Sequence, residues 1–319
     1  MNHHPTTIFS GTGNPQLAEA ISRYLGLEMG VSKIWRFPDG EKCIRVESDV
    51  RGHDCFVVQP TCAPVDENLV ELLIFLDCLA RASAARVTAV VPYFGYARQD
   101  RKDAGRVPIT AKMVANLITA AGADRVLAID MHAKQLQGFF DIPVDHLTAE
   151  PVMIKYLRKK AIPNLTVVAP DVGNMKTASR YATALGAELA IIHKRRISGN
   201  EVTFDEIIGN VEGRNIVMCD DMISTGGTIT GAAHLVRQRG AQKIYVGATH
   251  GVFCGQAIEK LKQAPIDEVI VTDTMQQEEN SKALNNLTVL SVAELLGEAI
   301  RRIHENESLS EMFEKLSKS

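Results

Sequence analysis

The sequence has no CxxC pair, no long apolar run and no large excess of either charge, and each absence excludes a class of protein. Its six cysteines are scattered along 319 residues, which predicts reduced, buried thiols and argues against a disulfide-stapled miniprotein. No apolar stretch approaches the ~18–20 residues of a membrane span, and the N-terminus lacks the pattern of a secretory leader. We therefore expect a cytoplasmic protein that has no membrane partner.

The charge balance excludes proteins that bind nucleic acid through an overall positive field. With 35 Lys and Arg against 38 Asp and Glu, the formal net charge is −3, so no nucleic-acid partner is expected. Any bound anion must then be held by local groups. Hydrophobic residues make up 45% of the chain, which is too apolar for a disordered protein, and 319 residues are enough for two domains.

Short β-branched runs alternate with helical periodicity, which predicts an α/β fold with mainly parallel sheets. The first strand is predicted over Thr6–Phe9 and is followed by Gly11-Thr12-Gly13. Because this tripeptide lacks the third glycine of a dinucleotide-binding fingerprint, we interpret it as a plain turn. Asn14 then offers a helix cap in front of Pro15, which stands at the first helical position.

The second half of the chain repeats the plan of the first half. Strands predicted over residues 216–219 and 244–248, with a helix between them, have nearly the spacing of two strands in the first half. This repetition predicts two related domains, residues 1–148 and 149–319, each a mainly parallel sheet flanked by helices.

The most informative segment is Val217–Thr228, in which an apolar strand ends in two acids and the chain then turns into a helix. Glycines let a backbone approach an anion closely, and the N–H groups and dipole of a helix N-terminus favour phosphate. The acids would repel phosphate and are suited to sugar hydroxyls or a divalent cation. A plain turn with a capping acid would use the same residue types. The candidate residues are Asp220, Asp221, Ser224, Thr225, Gly226, Gly227 and Thr228.

This segment resembles the loop with which type I phosphoribosyltransferases bind phosphoribosyl pyrophosphate, and the chain has no GxxxxGK[ST] motif of a P-loop kinase. Further motifs narrow the resemblance to the ribose-phosphate diphosphokinases and extend it over nearly the whole chain. These motifs are PYFGYARQDRK at Pro92–Lys102, FPDGE at Phe37–Glu41, DMHAKQLQGFFDIPVD at Asp130–Asp145 and HKRR at His193–Arg196.

The resemblance implies an enzyme of nucleotide biosynthesis built from two phosphoribosyltransferase-like domains. Such an enzyme transfers the diphosphoryl group of ATP to the C1 hydroxyl of ribose 5-phosphate, giving AMP and 5-phosphoribosyl 1-diphosphate. It also implies Mg²⁺ as cofactor and a homo-oligomer, which in the family is typically a hexamer. Residues 1–148 would carry the ATP side and the oligomer contacts, and residues 149–319 the ribose 5-phosphate and diphosphate loops.

Five residues are assigned to ATP by resemblance. In FPDGE, the aromatic ring and the carboxylates suit stacking on adenine and accepting its amino group, and this turn would reach the site from a neighbouring subunit. Arg98 and Gln99 correspond to residues that contact ATP. Read without the resemblance, FPDGE is an ordinary turn and residues 98–102 are a solvated charged run. The ATP candidates are Phe37, Asp39, Glu41, Arg98 and Gln99.

The resemblance also assigns metal and catalytic residues. His132 would contact the Mg²⁺ that accompanies ATP, and Asp171 would hold a second cation near the diphosphate; a carboxylate is the more usual Mg²⁺ ligand. Lys194 and Arg196 follow a strand predicted over residues 189–192 and open a polar stretch that is predicted to be a mobile loop. Closing over the diphosphate, these cations would stabilise charge in the transition state.

The chain departs from the family pattern at two places. Ser224 stands where many members carry Asp, and its hydroxyl can still donate to phosphate. Asn174 stands where members often have a second glycine, and Thr177 lies near the usual place of an arginine. Two other functions share the same motifs: a phosphoribosyltransferase that consumes the diphosphate product, and a regulatory homologue without catalysis.

Overall fold

The computed structural model describes residues 4–198 and 201–312, and the side chains of residues 194–198 and 201–205 lie outside that description. The chain packs into two compact units. The first contains the chain up to Ala149 together with Thr274–Gln276 and the chain from Ser291 onward. The second contains Glu150–Asp273 and Gln277–Leu290. The predicted division into domains after residue 148 stays a prediction.

Strands and helices alternate along the chain, as the sequence predicts for an α/β fold. The strands are β1 (Thr6–Ser10), β2 (Ser32–Arg36), β3 (Lys42–Val46), β4 (Asp54–Val58), β5 (Arg86–Val91), β6 (Arg125–Ile129), β7 (Val144–Leu147), β8 (Leu165–Ala169), β9 (Glu188–Ser198), β10 (Glu201–Ile208), β11 (Asn215–Ile223), β12 (Ile244–Gly251), β13 (Glu268–Thr272) and β14 (Leu287–Leu290). The helices are α1 (Pro15–Leu25), α2 (Val65–Arg81), α3 (Thr110–Ala120), α4 (Glu150–Lys160), α5 (Met175–Leu185), α6 (Gly227–Gln238), α7 (Ala257–Gln263), α8 (Glu278–Ala283) and α9 (Ala293–Glu305).

The first unit is built on a parallel sheet with the strand order β1-β4-β5-β6-β7. All five residues of β4 are buried, as expected for a central strand covered on both faces. Helix α2 packs on this sheet, and the rings of Phe9 and Phe75 meet with their centroids 5.5 Å apart. Strands β2 and β3 form a separate antiparallel ribbon. The parallel order brings the carboxyl ends of β5 and β6 to the same edge of the sheet.

The turn between β1 and α1 uses its polar groups internally. The side chain of Asn14 accepts a hydrogen bond from the Leu17 N–H at 3.2 Å, so the predicted helix cap is confirmed. The backbone N–H and the hydroxyl of Thr12 both donate to the carboxylate of Glu71. The Gly13 N–H donates to the side-chain oxygen of Gln59 at 2.9 Å. The interpretation of this segment as a plain turn is therefore confirmed.

The second unit is built on a seven-stranded sheet with the order β10-β9-β8-β11-β12-β13-β14. Only the edge strand β10 runs antiparallel to its neighbour. Two strands are longer than the sequence predicted. Strand β9 continues to Ser198, so Lys194 and Arg196 lie within a strand and not in a loop after it, because they pair with Phe204 and Val202 of β10.

The second extended strand is β11, which continues past the two acids to Ile223. The prediction that the strand ends at Asp220 and Asp221 was wrong, because this part of β11 is still paired with β12: Asp220 lies opposite Ala248 and Met222 opposite His250. The two acids therefore project from a paired strand, which restricts their backbone more than a loop would.

Helix α9 belongs to the first unit and packs against α1. Its His304 ring nitrogen lies 2.9 Å from the carboxylate of the buried Asp54, which also accepts from the guanidinium of Arg86 at 2.8 Å. Arg86 donates in addition to the Ile303 carbonyl at 3.0 Å. Because breaking a buried ion pair leaves a charge uncompensated, this cluster ties helix α9 to the central strands.

The cysteines are free thiols, but their burial differs from the prediction. Cys55 and Cys219 are buried, and burial raises the pKa of Cys55 to about 12. Three others are half-buried, and Cys254 is exposed because it lies in the turn after β12 and not in a strand. In the part of the chain that the structure describes, no helix combines the length and the apolarity needed to cross a membrane.

Candidate functional site

The first unit has a cavity of about 750 Å³ at the edge of the sheet where β5 and β6 end. Arg98 and Gln99, which follow β5, and His132, which follows β6, all line it. These are three of the residues that the sequence assigns to ATP and its metal. The cavity is also lined by Arg101, Lys134 and Gln135, which the sequence analysis did not select. The spacing of Lys134 and Gln135 from His132 was the only available signal for them.

The backbone around this cavity is held by local hydrogen bonds. The Gln99 N–H donates to the Tyr96 carbonyl at 2.9 Å, and Tyr96 itself has a left-handed φ of 64°. The side-chain oxygen of Gln99 accepts from the Thr110 hydroxyl at the start of α3. Gln135 donates to the carboxylate of Asp100 at 3.1 Å. Arg98, Arg101 and Lys134 give the cavity cations that can neutralise a polyphosphate.

The FPDGE turn lies at the tip of the β2–β3 ribbon and is not part of that cavity's lining. The turn is closed by its own backbone: Phe37 donates to the Glu41 carbonyl and Gly40 to the Phe37 carbonyl, both at 2.9 Å. The Asp39 carboxylate accepts from the Glu41 N–H at 3.1 Å. Phe37 is 49% exposed, and Trp35 of the same ribbon is 44% exposed. The turn thus presents an unburied aromatic surface.

The second unit contains the glycine-rich turn between β11 and α6. Gly226 is the residue in front of the helix and has a left-handed φ of 74°, a conformation that favours glycine. Gly226 has no side chain with which to cap this helix. The first N–H groups of an α-helix have no intrahelical partners, so those of α6 suit an anion, and the predicted phosphate site at this turn stays a prediction. Thr225, Gly227 and Thr228 are exposed around this opening.

Of the two acids before the turn, Asp220 has a pKa that its surroundings shift in both directions. Burial and the neighbouring charge of Asp221 raise the pKa of Asp220 to about 7. Hydrogen bonds from the Asp221 N–H and from the side-chain amide of Asn174, both 2.9 Å long and both to Oδ1 of Asp220, act in the opposite direction. The charge of Asp171 also contributes to the raised pKa.

Asp171 directly caps the short 3-10 turn Val172–Asn174 that precedes α5. Its side chain accepts from the Asn174 N–H at 3.0 Å. Because β8 and β11 are neighbouring parallel strands, Asp171 and the acids of β11 belong to the same sheet edge. The sequence did not predict the contact between Asn174 and Asp220, since it joins a turn and a strand that are far apart in the chain.

Two further features complete the description of the second unit. The exposed thiol of Cys254 lies 3.1 Å from the Ser224 hydroxyl, and the Cys254 N–H donates to the Ser224 carbonyl at 3.0 Å. The backbones of Lys194 and Arg196 are paired in β9, but their side chains lie outside the described residues.

Metal binding was predicted at His132 and Asp171, which belong to the first and second units respectively. Searching the described residues alone finds no group of three or more His, Cys, Asp or Glu side chains that could hold a metal ion.

Two family models match the chain. The N-terminal domain of ribose phosphate pyrophosphokinase matches residues 6–122, and the phosphoribosyl synthetase-associated domain matches residues 200–314. A solved structure, the phosphoribosylpyrophosphate synthetase from Mycobacterium smegmatis, superposes with a TM-score of 0.88 at 40% identity, covering 95% of this chain and 99% of that one.

Curated relatives are similar over nearly the whole chain. The ribose-phosphate pyrophosphokinase of Rhodopirellula baltica is 56% identical and is covered over 98% of its length by 96% of this chain. That of Nostoc is 50% identical, with 94% of its length and 98% of this chain covered. The chloroplastic ribose-phosphate pyrophosphokinase 1 of Arabidopsis thaliana is 52% identical, with 76% of its length and 96% of this chain covered.

Proposed function

Since the chain belongs to the ribose-phosphate pyrophosphokinase family, and is thus a ribose-phosphate diphosphokinase with two phosphoribosyltransferase-like domains, we propose that it divides its substrates between the two units. ATP binds to the first unit and ribose 5-phosphate to the second. The reaction transfers the diphosphoryl group of ATP to the C1 hydroxyl of the sugar phosphate and releases AMP. Three functions are compatible with the motifs, and the relatives are named for this one, ribose-phosphate pyrophosphokinase.

The observation that carries the sugar-phosphate assignment is the uncapped N-terminus of α6 directly after two acids. The phosphate would accept hydrogen bonds from the turn, where Ser224, Thr225 and Thr228 add hydroxyl donors and Gly226 and Gly227 allow close approach. Asp220 and Asp221 would accept hydrogen bonds from the ribose hydroxyls. A phosphate and a polyol are thereby bound by separate groups of suitable chemistry.

The ATP assignment is supported by the cavity that Arg98, Gln99 and His132 share. The Arg98 guanidinium would bind phosphate oxygens, and Gln99 would orient the nucleotide. Phe37, Asp39 and Glu41 would complete the site from a neighbouring copy of the chain, since the turn that carries them is exposed and does not line the cavity of its own unit. This arrangement requires a homo-oligomer, for which the resemblance suggests a hexamer.

The proposed cofactor is Mg²⁺, and the acids of the second unit fit it. Burial and the charges of Asp221 and Asp171 raise the pKa of Asp220, and a divalent cation would relieve the repulsion among these carboxylates. Asp171 would be a protein ligand, whereas His132 offers an imidazole, a less suitable donor for Mg²⁺. When bound, the ion supplies neutralisation of phosphate charge. The free thiols are compatible with the reducing cytoplasm, where we propose that the enzyme acts.

Catalysis would depend on positioning and charge neutralisation, because diphosphoryl transfer needs little covalent chemistry from the protein. The acids of β11 would orient the sugar and present its C1 hydroxyl as the attacking group. Lys194 and Arg196, carried by the β9–β10 hairpin, would stabilise the charge that develops on the transferred group.

The activity is tested by incubating the purified chain with Mg²⁺, ATP and ribose 5-phosphate and measuring AMP. AMP should form in equal amount with 5-phosphoribosyl 1-diphosphate and only when the sugar phosphate is present. AMP formed equally without the sugar, or no AMP, would contradict the activity.

The ATP assignment is tested by Arg98→Ala. Removing a charged hydrogen-bond donor from the phosphates should raise the KM for ATP roughly tenfold or more and leave the KM for ribose 5-phosphate unchanged. Lys102→Ala is the matched control, because it removes a cation from the same exposed loop but from outside the cavity lining. Equal effects of both variants would indicate that these cations act through the overall electrostatic field and that Arg98 does not bind ATP directly.

A further inference from the structure

We propose that Asn174 is a positioning residue of the ribose 5-phosphate site, which holds the Asp220 carboxylate ready for a sugar hydroxyl and ties it to Asp171. The inference rests on the proposed function and extends it to a residue that neither the motifs nor the relatives' names assign. Asn174 is only 7% exposed, although it lies in a short turn at the edge of the sheet.

Asn174 joins two acids that come from different strands. Its backbone N–H donates to Oδ1 of Asp171, which follows β8, and its side-chain amide donates to Oδ1 of Asp220 on β11. One residue thus sets the distance between an acid proposed for the metal and an acid proposed for the sugar. Both contacts use N–H donors, which suits carboxylates because ionised carboxylates only accept.

These contacts also determine which oxygen of Asp220 can receive a ligand. Oδ1 accepts two hydrogen bonds, from the Asp221 N–H and from Asn174. Oδ2 of Asp220 has no partner among the described residues. With Oδ1 held by two donors, the carboxylate cannot rotate freely, and Oδ2 remains as the acceptor for an O–H group of the ribose.

The unpartnered end of the Asn174 amide separates this role from an ordinary structural one. Its Oδ1 is buried and has no hydrogen-bond partner among the described residues, and a buried acceptor of this kind is unfavourable. Asn215 of the same unit shows the structural pattern. It is 6% exposed, donates to the Pro163 carbonyl at 2.7 Å and accepts from the Lys243 N–H at 3.2 Å. Asn174 satisfies only the end that faces the acid.

The test compares Asn174→Leu with Asn215→Leu, which replace buried asparagines of one unit by an apolar side chain of similar size. Ribose 5-phosphate binding is measured by calorimetry in the absence of Mg²⁺ and ATP. Asn174→Leu should weaken binding roughly twofold to tenfold, the cost of immobilising one side chain on binding, because the Asp220 carboxylate is then no longer held in place beforehand. It should raise the KM for ribose 5-phosphate, leave the KM for ATP unchanged and change Tm little, because it also removes the unsatisfied oxygen.

Asn215→Leu should show the opposite pattern, a clear decrease in Tm with unchanged ribose 5-phosphate affinity. Asn174→Gly, which removes the amide without adding apolar volume, serves as the second variant if the leucine prevents folding, and it should weaken binding similarly. Parental affinity in a folded Asn174 variant would overturn the inference.

A variant in the turn before α6, Thr228→Ala, distinguishes a failure of the Asn174 inference from a failure of the proposed function. If the parent chain binds ribose 5-phosphate and Thr228→Ala weakens that binding while the Asn174 variants do not, only the role of Asn174 is wrong. If the parent chain does not bind ribose 5-phosphate, or Thr228→Ala binds it as tightly as the parent does, the assignment of the site is wrong and the inference fails with it.

Discussion

Two segments of this protein have the same local order, a strand, a turn containing glycines and a helix, yet the two helices begin differently. In Thr6–Leu25 the turn is closed, because Asn14 caps the helix and Glu71 and Gln59 occupy the N–H groups of the turn. In Asn215–Gln238 the residue before the helix is Gly226, which has no side chain to cap it.

The difference comes from residues distant in the chain. Glu71 of α2 is fully buried, paired with Lys42 of β3 and bonded to Thr12, so a carboxylate already occupies the place where an anion would bind. The turn before α6 differs, because Gly226 has no side chain and the acids there come from the strand before it. A glycine-rich turn can bind a phosphate only when its N–H donors are left open.

The largest effect should come from Lys194→Ala, which separates binding at the open turn from reaction. If the backbone of the turn holds the sugar phosphate, kcat should fall roughly 10²- to 10³-fold, as for other lost transition-state donors, with unchanged ribose 5-phosphate affinity by calorimetry. Lys262→Ala, an exposed lysine of α7, should have no effect. Equal turnover in the Lys194 variant would remove this residue from catalysis.

Gly226→Ala tests whether the open turn is the binding element. A Cβ here has room, with its nearest neighbour 3.7 Å away, but it forces a left-handed alanine and intrudes on the phosphate position. We expect about tenfold weaker ribose 5-phosphate binding with an unchanged KM for ATP. Gly213→Ala imposes a similar φ of 67° away from the turn and should lower only Tm. If the two variants bind equally well, the turn does not hold the phosphate.

Asp220→Asn tests the electrostatic strain of the open site. The pKa of Asp220 is raised in the folded chain to about 7, from 3.8, so the folded chain binds this proton more tightly than the unfolded chain does. The contribution of Asp220 to the free energy of unfolding is therefore lost as pH rises from about 4 to about 7. In metal-free buffer, the variant should have a higher Tm than the parent at pH 8, by a few degrees, and little difference at pH 4.

Calorimetric scans across this pH range measure the effect, with Glu278→Gln on the exposed start of α8 as control. If the Tm of the parent and the Tm of Asp220→Asn change with pH in parallel, the pKa of Asp220 is not raised in the folded chain.

The smallest effect is expected from Asn14→Ala, which opens the closed turn. Loss of the cap should lower the free energy of unfolding by about 1 kcal/mol, measured by denaturant titration. Because Glu71 still occupies the turn, the variant should gain no affinity for inorganic phosphate. A gain would show that the cap alone distinguishes the two segments.

Local patterns predicted the elements but not their extensions or distant contacts. The cap at Asn14 was predictable because its signal, an asparagine directly before Pro15, lies within neighbouring residues. Strand β9 continues through Lys194 because β10 pairs with it, and polar residues in such a pairing have no hydrophobic signature. The acids of β11 are paired with β12 for the same reason.

In the candidate site, the residue types of the phosphate turn follow from general chemistry and were predictable. The contact between Asn174 and Asp220 was not, because it depends on β8 and β11 being neighbours in the sheet. Likewise, Lys134 and Gln135 enter the cavity through a 3-10 turn that has no hydrophobic period to predict its orientation.

The position of α9 has a consequence for synthesis on the ribosome. The first unit includes α9, which follows the second unit in the chain and whose His304 meets Asp54 and whose Gly297 lies against Tyr24. The nascent chain must therefore expose the α1 surface while the whole second unit is being translated. The first unit therefore begins translation before the second unit and ends after it. A chain truncated before α9 has an incomplete first unit.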